Sequence, residues 1–216
     1  MPQNDKEPNT LAAHNVQVGD VGVDFLHKLL RYDPLTGLLF WRERGVEMFS
    51  GDKYSPERSC KSWNGRYAGK EAFTAIDPKG YKLGAIFNKT HKAHRVIWAM
   101  ENGDWPADHV DHIDNDGLNN RISNLRAASN QQNGCNRAAQ SNSLSGVKGV
   151  CWDKANNKWL AQIGANGKRK YLGVFAKIED AALAYARAAD ALHGEFANPG
   201  KYTGPDGAVV TVEELG

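Results

Sequence analysis

Hydrophobic positions recur with different periods along the chain, and these periods predict its elements. A short amphipathic helix over 23–32 is predicted by apolar residues at helical spacing, Phe25, Leu26, Leu29 and Leu30. The apolar run Leu38–Trp41, which follows turn residues, predicts a buried strand. Between Ser50 and Gly69 the chain is rich in Gly, Ser, Lys and Arg, so this segment is predicted to be a loop.

A hairpin followed by a helix is predicted next. The hairpin consists of Tyr81–Phe87, a turn at Asn88-Lys89, and Thr90–Ala93. The helix extends over Ala93–Glu101 and ends near Gly103, because glycine is the residue that most often terminates a helix.

The pattern changes after residue 140. Turns at Asn156-Asn157 and Asn166-Gly167 separate three predicted strands, Gly146–Trp152, Lys158–Ile163 and Lys170–Phe175. An alanine-rich helix over Ile178–His193 follows and ends at Gly194. Three strands and one packed helix predict a second compact unit.

These elements predict an α+β protein with five parts. The β-rich first part and the second compact unit are joined by a small, polar segment that is typical of a linker. The predicted parts are a poorly ordered tail (1–22), a first domain (23–139), the linker (140–145), a second domain (146–200) and a C-terminal tail (201–216).

The composition is that of an ordinary soluble protein, with 216 residues of which 41% are hydrophobic and 24% charged. No apolar run is long enough to span a bilayer, and the polar amino terminus lacks the hydrophobic core of a signal peptide. The cysteines, Cys60, Cys135 and Cys151, are odd in number, far apart and form no CxxC pair. This argues against a zinc cage or a disulfide framework and favours a reducing cytoplasm.

Charge is distributed unevenly, although the net charge is only +2. Between Gly146 and Lys177 a single acidic residue, Asp153, is outnumbered by the basic residues Lys148, Lys154, Lys158, Lys168, Arg169, Lys170 and Lys177. An anionic partner for the second unit is therefore expected.

The most informative stretch begins at Val110–Asp114, where an apolar residue precedes an Asp-His pair. A polar loop with Asn119-Asn120 follows, then the short apolar segment Asn124–Arg126, and then a helix-start pattern, Ser129–Asn133. The predicted order is strand, loop, strand, helix.

This stretch gathers a carboxylate, an imidazole and carboxamides. Carboxylate and amide oxygens suit a hard cation such as Mg²⁺, and histidine can act as a general base near neutral pH. Together they are typical of a site that hydrolyses phosphodiesters. Adjacent strand residues point to opposite faces, so Asp111 and His112 share one site only if a twist or bulge turns the strand end. The alternative is a solvated loop with a hydrogen-bonded histidine, because an Asp-His pair alone is common.

The series is more specific than the pair. It comprises Ala93-His94-Arg95, Val110-Asp111-His112-Ile113-Asp114, Asn119-Asn120, Ser123-Asn124-Leu125-Arg126 and Gln132-Asn133. In this order and spacing it resembles the HNH endonucleases of the homing type found in phage genomes. The resemblance implies a ββα-metal (His-Me finger) fold in which Asp111 and Asn133 hold Mg²⁺ or Mn²⁺. It also implies that His112 activates the attacking water, and that Asn124 braces the loop and orients the histidine.

His94 and His109 are two further candidate functional groups. His94 could be a second catalytic group, but packing at the helix start is the favoured interpretation. His109 lies three residues before His112, yet no third soft ligand is nearby, which argues against zinc.

A second resemblance covers Gly146–Pro199. The residues that carry it are Gly149-Val150, Lys158-Trp159, Ala161, Ile163, Tyr171-Leu172-Gly173, Phe175, Ala181-Ala182, Ala184-Tyr185 and Ala188-Ala189. They are similar to the APETALA2/ethylene-response-factor DNA-binding domain, in which a three-stranded sheet enters the major groove and a helix packs behind it. Cys151 and Gly164 depart from that pattern, which has arginines there.

Strand alternation assigns the side chains of this unit to two faces. The inner face is predicted to hold Trp159, Ala161 and Ile163, and the outer face Lys158, Leu160, Gln162, Arg169 and Tyr171. Arg169 and Gln162 are predicted to read base edges, since Arg suits guanine and Gln suits adenine. Phosphate contacts are predicted for Lys148, Lys154 and Lys170.

The sequence thus predicts a metal-dependent DNA endonuclease with a C-terminal DNA-binding module. Double-stranded DNA is the expected partner, with no membrane and no small-molecule substrate, and the chain is expected to be a monomer or weak dimer in the cytoplasm, of the host cell if phage-encoded. One alternative is a DNA-binding regulator whose nuclease fold is not catalytic, and an RNA-directed nuclease is another.

Overall fold

The computed structural model describes residues 21–51, 53–137, 139, 143–165, 167–198, 200–203 and 209–211. The chain divides into two compact units, Met1–Arg126 and Ala127–Gly216. Each unit combines small antiparallel sheets with helices, which confirms the predicted α+β class. Of the helices within the described ranges, none has both the length and the apolar character needed to cross a bilayer.

Some predicted segments fall outside these ranges. They include the first twenty residues of the predicted tail, three residues of the predicted linker (140–142) and Asn166 of a predicted turn. Val21, by contrast, is buried in the core of the first unit, and its carbonyl accepts a hydrogen bond from the Trp105 indole at 2.8 Å.

The first unit opens with helix α1 (Val23–Leu29), which leads directly into strand β1 (Leu30–Asp33). Strand β2 (Leu38–Trp41) confirms the predicted strand and pairs antiparallel with β1, and β3 (Glu71–Ala72) completes the sheet. The prediction that α1 would extend to Tyr32 was wrong. The last three residues of the predicted helix, Leu30, Arg31 and Tyr32, pair with β2 instead, because tertiary pairing overrides a weak helical propensity.

The segment predicted to be a loop contains a helix of twelve residues, α2 (Pro56–Tyr67). The Ser55 side chain caps it by accepting a hydrogen bond from the backbone of Arg58, and proline occupies the first turn. The prediction was wrong because the Gly, Ser, Lys and Arg content of the segment is typical of a loop, whereas its Ser-Pro-Glu sequence is a signal for the start of a helix.

A second three-stranded sheet contains β4 (Ala75–Ile76), β5 (Lys82–Ile86) and β6 (Lys89–Lys92). The last two strands confirm the predicted hairpin, and helix α3 (Ala93–Asn102) confirms the predicted helix. The helix ends at Gly103, whose φ of 80° is the left-handed conformation expected there.

The core of the first unit lies where α1 and α3 pack together. Its fully buried side chains include Leu26, Leu29, Leu30, Val96 and Ile97. This packing fixes the start of α3, and therefore the position of His94 in its first turn.

The order strand, loop, strand, helix is found as predicted. Strand β7 (His109–His112) pairs with β8 (Leu125–Ala128), and helix α4 (Asn130–Asn136) follows. Ser129 caps α4 in a reciprocal pair of hydrogen bonds with Gln132. Helix α4 belongs to the second unit.

The second unit contains a three-stranded sheet packed on one helix, as predicted. Strands β9 (Val150–Asp153), β10 (Lys158–Ala165) and β11 (Lys168–Phe175) pair antiparallel with β10 in the centre. Helix α5 (Ile178–His193) packs its alanine face on β10, and the strands and helix share a core. Strands β12 (Lys201–Thr203) and β13 (Val209–Thr211) form a separate pair within the predicted C-terminal tail.

Candidate active site

Asp111 and His112 lie at the end of β7 and are both almost fully buried, with 5% and 4% of their surfaces exposed. The two side chains contact different residues, as strand alternation predicts. Asp111 contacts Arg126 of β8, whereas His112 contacts Asn120 and the rings of Tyr81 and His94.

The Asp111 carboxylate is held by the guanidinium group of Arg126. Arg126 donates two hydrogen bonds to Oδ2, from Nε at 3.0 Å and from a terminal nitrogen at 2.9 Å. Both side chains are largely buried, so this charge-assisted contact fixes the orientation of the carboxylate. Arg126 is part of the sequence motif, but its position there does not reveal this contact with Asp111.

His112 is oriented by Asn120. The imidazole Nε2 lies 3.0 Å from Oδ1 of Asn120, and an amide oxygen can only accept a hydrogen bond. Nε2 therefore carries the hydrogen and Nδ1 carries the lone pair that a general base needs. Asn120 has no exposed surface, which protects this contact from competition by water.

The N-terminal hairpin, formed by β1 and β2, holds the backbone around Asn120. The Tyr32 hydroxyl donates to the Asn120 carbonyl at 3.1 Å and accepts from the Ile122 backbone at 2.8 Å. Arg121 donates to the Leu35 carbonyl in the hairpin turn at 2.8 Å. The hairpin thus positions the residue that positions His112.

Asn124 contacts the loop between the two strands. Its amide nitrogen donates to Asp114 Oδ1 and to the Asn119 carbonyl, both at 2.8 Å. Its Oδ1 accepts from the Asp114 backbone at 3.2 Å. Burial opposes ionisation of Asp114, but hydrogen bonds from Asn119, the Asp116 backbone and Asn124 lower its pKa overall. Asn124 was predicted to orient the histidine, but the side chain that hydrogen-bonds the His112 ring is that of Asn120. The sequence predicted no role for Asn120.

His94 lies beside His112. The two ring centroids are 4.9 Å apart in an edge-to-face arrangement, and Tyr81 packs against both rings. His94 is 4% exposed, and its Nδ1 has no hydrogen-bond partner among the residues that the structure describes. Burial, reinforced by His112 and the nearby cations Lys92 and Arg95, lowers the pKa of His94 to about 3. His94 is therefore neutral at physiological pH.

Replacing His94 with Phe is expected to preserve most activity and to reduce acid sensitivity. Its pKa lies below the ordinary value of 6.5, so the unfolded state takes up the proton first and stability falls as pH drops through this range. Phe takes up no proton, so the variant should lose about 1 to 2 kcal/mol less stability than wild type at about pH 5. Urea unfolding at neutral and acidic pH measures this difference.

The same variant separates packing from catalysis. A packing ring should leave the cleavage rate within about threefold of wild type, whereas loss of a general base typically costs about 10²- to 10⁴-fold. A hundredfold loss in the variant, with unchanged acid sensitivity, would contradict the packing role.

Asn133 lies on α4 in the second unit and is partly buried. Its predicted partnership with Asp111 stays a prediction. The donor set fits a hard divalent cation, since carboxylate and carboxamide oxygens are hard ligands and no thiolate is included. In the part of the chain that the structure describes, no group of three or more His, Cys, Asp or Glu side chains is placed to hold a metal.

The outer face of the second unit presents the predicted base-reading residues together. Gln162 pairs across the sheet with Tyr171, and Gly164 pairs with Arg169, so these side chains share one face. Tyr171 is 62% exposed, and four basic residues of the same unit are exposed as well: Lys154, Lys158, Arg169 and Lys170. On the inner face Ala161 and Ile163 are buried, as predicted.

Lys148 is engaged inside the second unit. Its ammonium group donates a hydrogen bond to the Cys135 carbonyl near the end of α4, and burial lowers its pKa. A phosphate contact by Lys148 would have to replace this hydrogen bond. Lys154 and Lys170 are better placed for the predicted phosphate role, because both are exposed.

Two family models match separate parts of the chain. Residues 91–135 match an HNH endonuclease model and residues 145–195 match the AP2 domain. The first range contains Asp111, His112, Asn124 and Asn133.

Two viral proteins are similar over longer stretches. Protein 3.8 of Escherichia phage T7 is 34% identical over 120 residues, which are 55% of this chain and 96% of that protein. An HNH endonuclease of Acanthamoeba polyphaga mimivirus is 36% identical over 166 residues, which are 76% of this chain and 79% of that protein. No solved structure is significantly similar.

Proposed function

Since the chain belongs to the HNH endonuclease family and carries an AP2 domain, we propose that it is a metal-dependent endonuclease of the homing type that cleaves double-stranded DNA. The observation that carries this proposal is the buried Asp111-His112 pair, in which Asn120 fixes the orientation and the tautomer of the His112 ring. Burial excludes bulk water and strengthens the electrostatic interactions on which phosphodiester cleavage depends.

His112 acts as the general base in this mechanism. As the water oxygen bonds to phosphorus, Nδ1 of His112 takes the water proton and the bond from phosphorus to the 3′ oxygen breaks. The 3′ oxygen leaves and acquires a proton from solvent. Asn120 Oδ1 accepts a hydrogen bond from Nε2–H of His112 and so stabilises the imidazolium that forms.

Asp111 and Asn133 would hold the divalent ion, Mg²⁺ or Mn²⁺. Bound there, the ion would supply Lewis-acid stabilisation of the charge that builds on the leaving oxygen. Arg126 orients the Asp111 carboxylate by donating two hydrogen bonds to Oδ2. Asn124 holds the loop that carries Asn119 and Asp114.

The AP2 domain supplies a second contact with duplex DNA. Its outer face combines a candidate guanine reader, Arg169, with an amide, Gln162, and an exposed ring, Tyr171. With one active site per chain, a monomer would nick one strand. We place the activity in the cytoplasm, of the host cell if the chain is phage-encoded.

Incubation of the purified chain with duplex DNA tests this function. Cleavage is expected with Mg²⁺ or Mn²⁺ and is expected to stop in excess chelator, because hard oxygen ligands bind such ions. Binding without cleavage under every metal condition would favour a DNA-binding regulator with a non-catalytic nuclease fold. Cleavage of RNA in preference to DNA would favour the RNA-directed alternative.

Replacing Arg169 with Ala is expected to change which sequence is preferred. A bidentate contact between arginine and guanine contributes about 1 to 3 kcal/mol of discrimination, and Arg169 is exposed on the outer face. Cleavage-site mapping and binding to a panel of duplexes measure the change.

Lys154→Ala is the matched control for this experiment. A phosphate contact carries no sequence information, so this variant should weaken binding to all duplexes alike and flatten the dependence on salt. If Arg169→Ala also weakened every duplex equally, Arg169 would be a phosphate contact and not a base reader.

A further inference from the structure

A groove on α2 in the first unit combines exposed aromatic rings with guanidinium groups. It has a volume of about 460 Å³, and its lining includes Tyr54, Arg58, Trp63, Arg66 and Tyr67. Tyr54 is 48% exposed and Tyr67 is 39% exposed, although large aromatic side chains are usually well buried.

Cations and rings are interleaved along this groove. The Arg58 guanidinium lies 4.6 Å from the centre of the Tyr54 ring, and that of Arg66 lies 6.0 Å from the Tyr67 ring. Tyr67 in turn packs against Trp63, with ring centroids 5.2 Å apart. Cation–π contacts of this kind hold the guanidinium groups beside the rings and leave their N–H donors directed outward.

The exposed residues are not needed to attach α2 to the unit. Its inner side is fixed by Trp63, which packs on Trp41 at 5.7 Å and beneath the Arg44 guanidinium at 3.7 Å. Asn64 adds two hydrogen bonds with the Arg44 backbone, at 3.0 and 2.9 Å. Tyr67 also packs on Trp63, but this packing does not account for the exposed parts of the tyrosines or for the outward-facing arginines.

The charge of this segment is strongly positive. The only acidic residue from 53 to 70 is Glu57, and it lies among the basic residues Lys53, Arg58, Lys61, Arg66 and Lys70. Hydrogen bonds from its own backbone N–H and from Ser55 lower the pKa of Glu57, which places its charge at the start of α2. The groove is left with a local excess of positive charge.

We propose that this groove binds one strand of DNA, with a base stacked on the tyrosines and its phosphate held by Arg58 and Arg66. A nucleotide offers both an aromatic face and an anionic group, which is the combination that the groove complements. An acidic peptide would use the cations but leave the rings exposed to water. The inference rests on the proposed function for the choice of DNA as ligand, and it adds a third contact to the active site and the AP2 face.

Binding of a short, fluorescein-labelled thymidine oligonucleotide to the full chain in chelator tests the proposal without cleavage. The paired substitution Tyr54→Leu with Tyr67→Leu is expected to weaken binding by about fivefold or more, because it removes a stacking surface. The matched pair Tyr54→Phe with Tyr67→Phe keeps the rings and is expected to bind within about twofold of wild type. Thermal unfolding midpoints of both pairs are measured alongside, and binding is compared at a temperature at which both are fully folded, because Tyr67 also packs on Trp63.

The guanidinium groups are tested by the salt dependence of the same binding. Arg58→Gln with Arg66→Gln should reduce the slope of log K against log salt by about 1.4, at about 0.7 for each single-strand phosphate contact. Lys61→Gln, an exposed change on the same helix outside the groove, should leave the slope unchanged.

Equal affinities for the leucine and phenylalanine pairs would overturn the inference, as would displacement of the oligonucleotide by polyglutamate as readily as by unlabelled DNA. Parallel cleavage assays separate it from the proposed function. A wild-type chain that cuts duplex DNA while the leucine pair binds normally would leave the function standing and remove the groove. Loss of binding in the leucine pair, with no cleavage by wild type under any metal condition, would support the groove and remove the function.

Discussion

Replacing His112 with Ala is expected to lower the rate of DNA cleavage by about 10²- to 10⁴-fold, the usual cost of losing a positioned general base. The structure gives the reason, since the buried His112 ring is held by Asn120 with its base nitrogen carrying the lone pair. Single-turnover cleavage of a labelled duplex with saturating Mg²⁺ measures the chemical step. DNA affinity, measured in chelator, should remain close to wild type, because phosphate contacts elsewhere still hold the duplex.

Two companion variants sharpen this test. Asn120→Ala keeps the imidazole but removes the acceptor that fixes its tautomer, so it should lower the rate without changing DNA affinity. His94→Phe should retain most activity. A His112→Ala protein that cuts at the wild-type rate would place the base elsewhere, with His94 as the next group to examine.

Replacing Gly37 with Ala is expected to reduce cleavage by about 10²-fold, although Gly37 lies in the N-terminal hairpin. Its φ is +75°, and an added Cβ would lie 2.7 Å from the Arg121 nitrogen and 2.8 Å from the Asn120 carbonyl carbon. Backbone atoms cannot yield as a flexible side chain can, so the loop must shift. A displacement of about 1 Å in a catalytic arrangement can lower the rate by about 10²-fold.

Gly69→Ala is the matched control for this substitution. Gly69 has nearly the same φ, +76°, but in the described part of the chain no non-neighbouring atom lies within 4 Å of the position of an added Cβ. Both variants carry the same left-handed backbone strain of about 1 to 2 kcal/mol, and only Gly37→Ala also displaces the Asn120 loop. Similar cleavage rates for the two variants would show that the hairpin does not position His112.

Elements determined by local signals were predictable from the sequence. Helix α5 has the predicted bounds because alanine spacing and a terminal Gly194 both act within the helix. The β5–β6 hairpin was also predicted, but its turn lies at Phe87-Asn88, one residue before the predicted Asn88-Lys89, and both turn residues adopt positive φ.

Features that depend on distant partners were not predictable. Residues at the end of the predicted first helix form a strand because β2 lies beside them, and no local signal records that pairing. The role of Asn120 in orienting His112 was not predicted for a similar reason. Its hydrogen bond to His112 spans eight residues, and the Tyr32 contact that holds its backbone spans 88. A pattern of residue types identified the chemistry of the site but not the supports that orient it.

Helix α4 carries Asn133, yet its end is secured by the AP2 side of the chain. Lys148 donates to the Cys135 carbonyl, and Asn198 donates to the Asn136 carbonyl at 2.6 Å, so residues from both ends of the AP2 region cap one helix of the nuclease motif. A chimera joined within 140–145 would therefore exchange these caps along with the DNA-reading sheet. A different DNA-binding domain fused to this nuclease should therefore preserve α4 only if it supplies groups equivalent to Lys148 and Asn198. A change of DNA-binding domain thus affects both the choice of target and the stability of the nuclease motif.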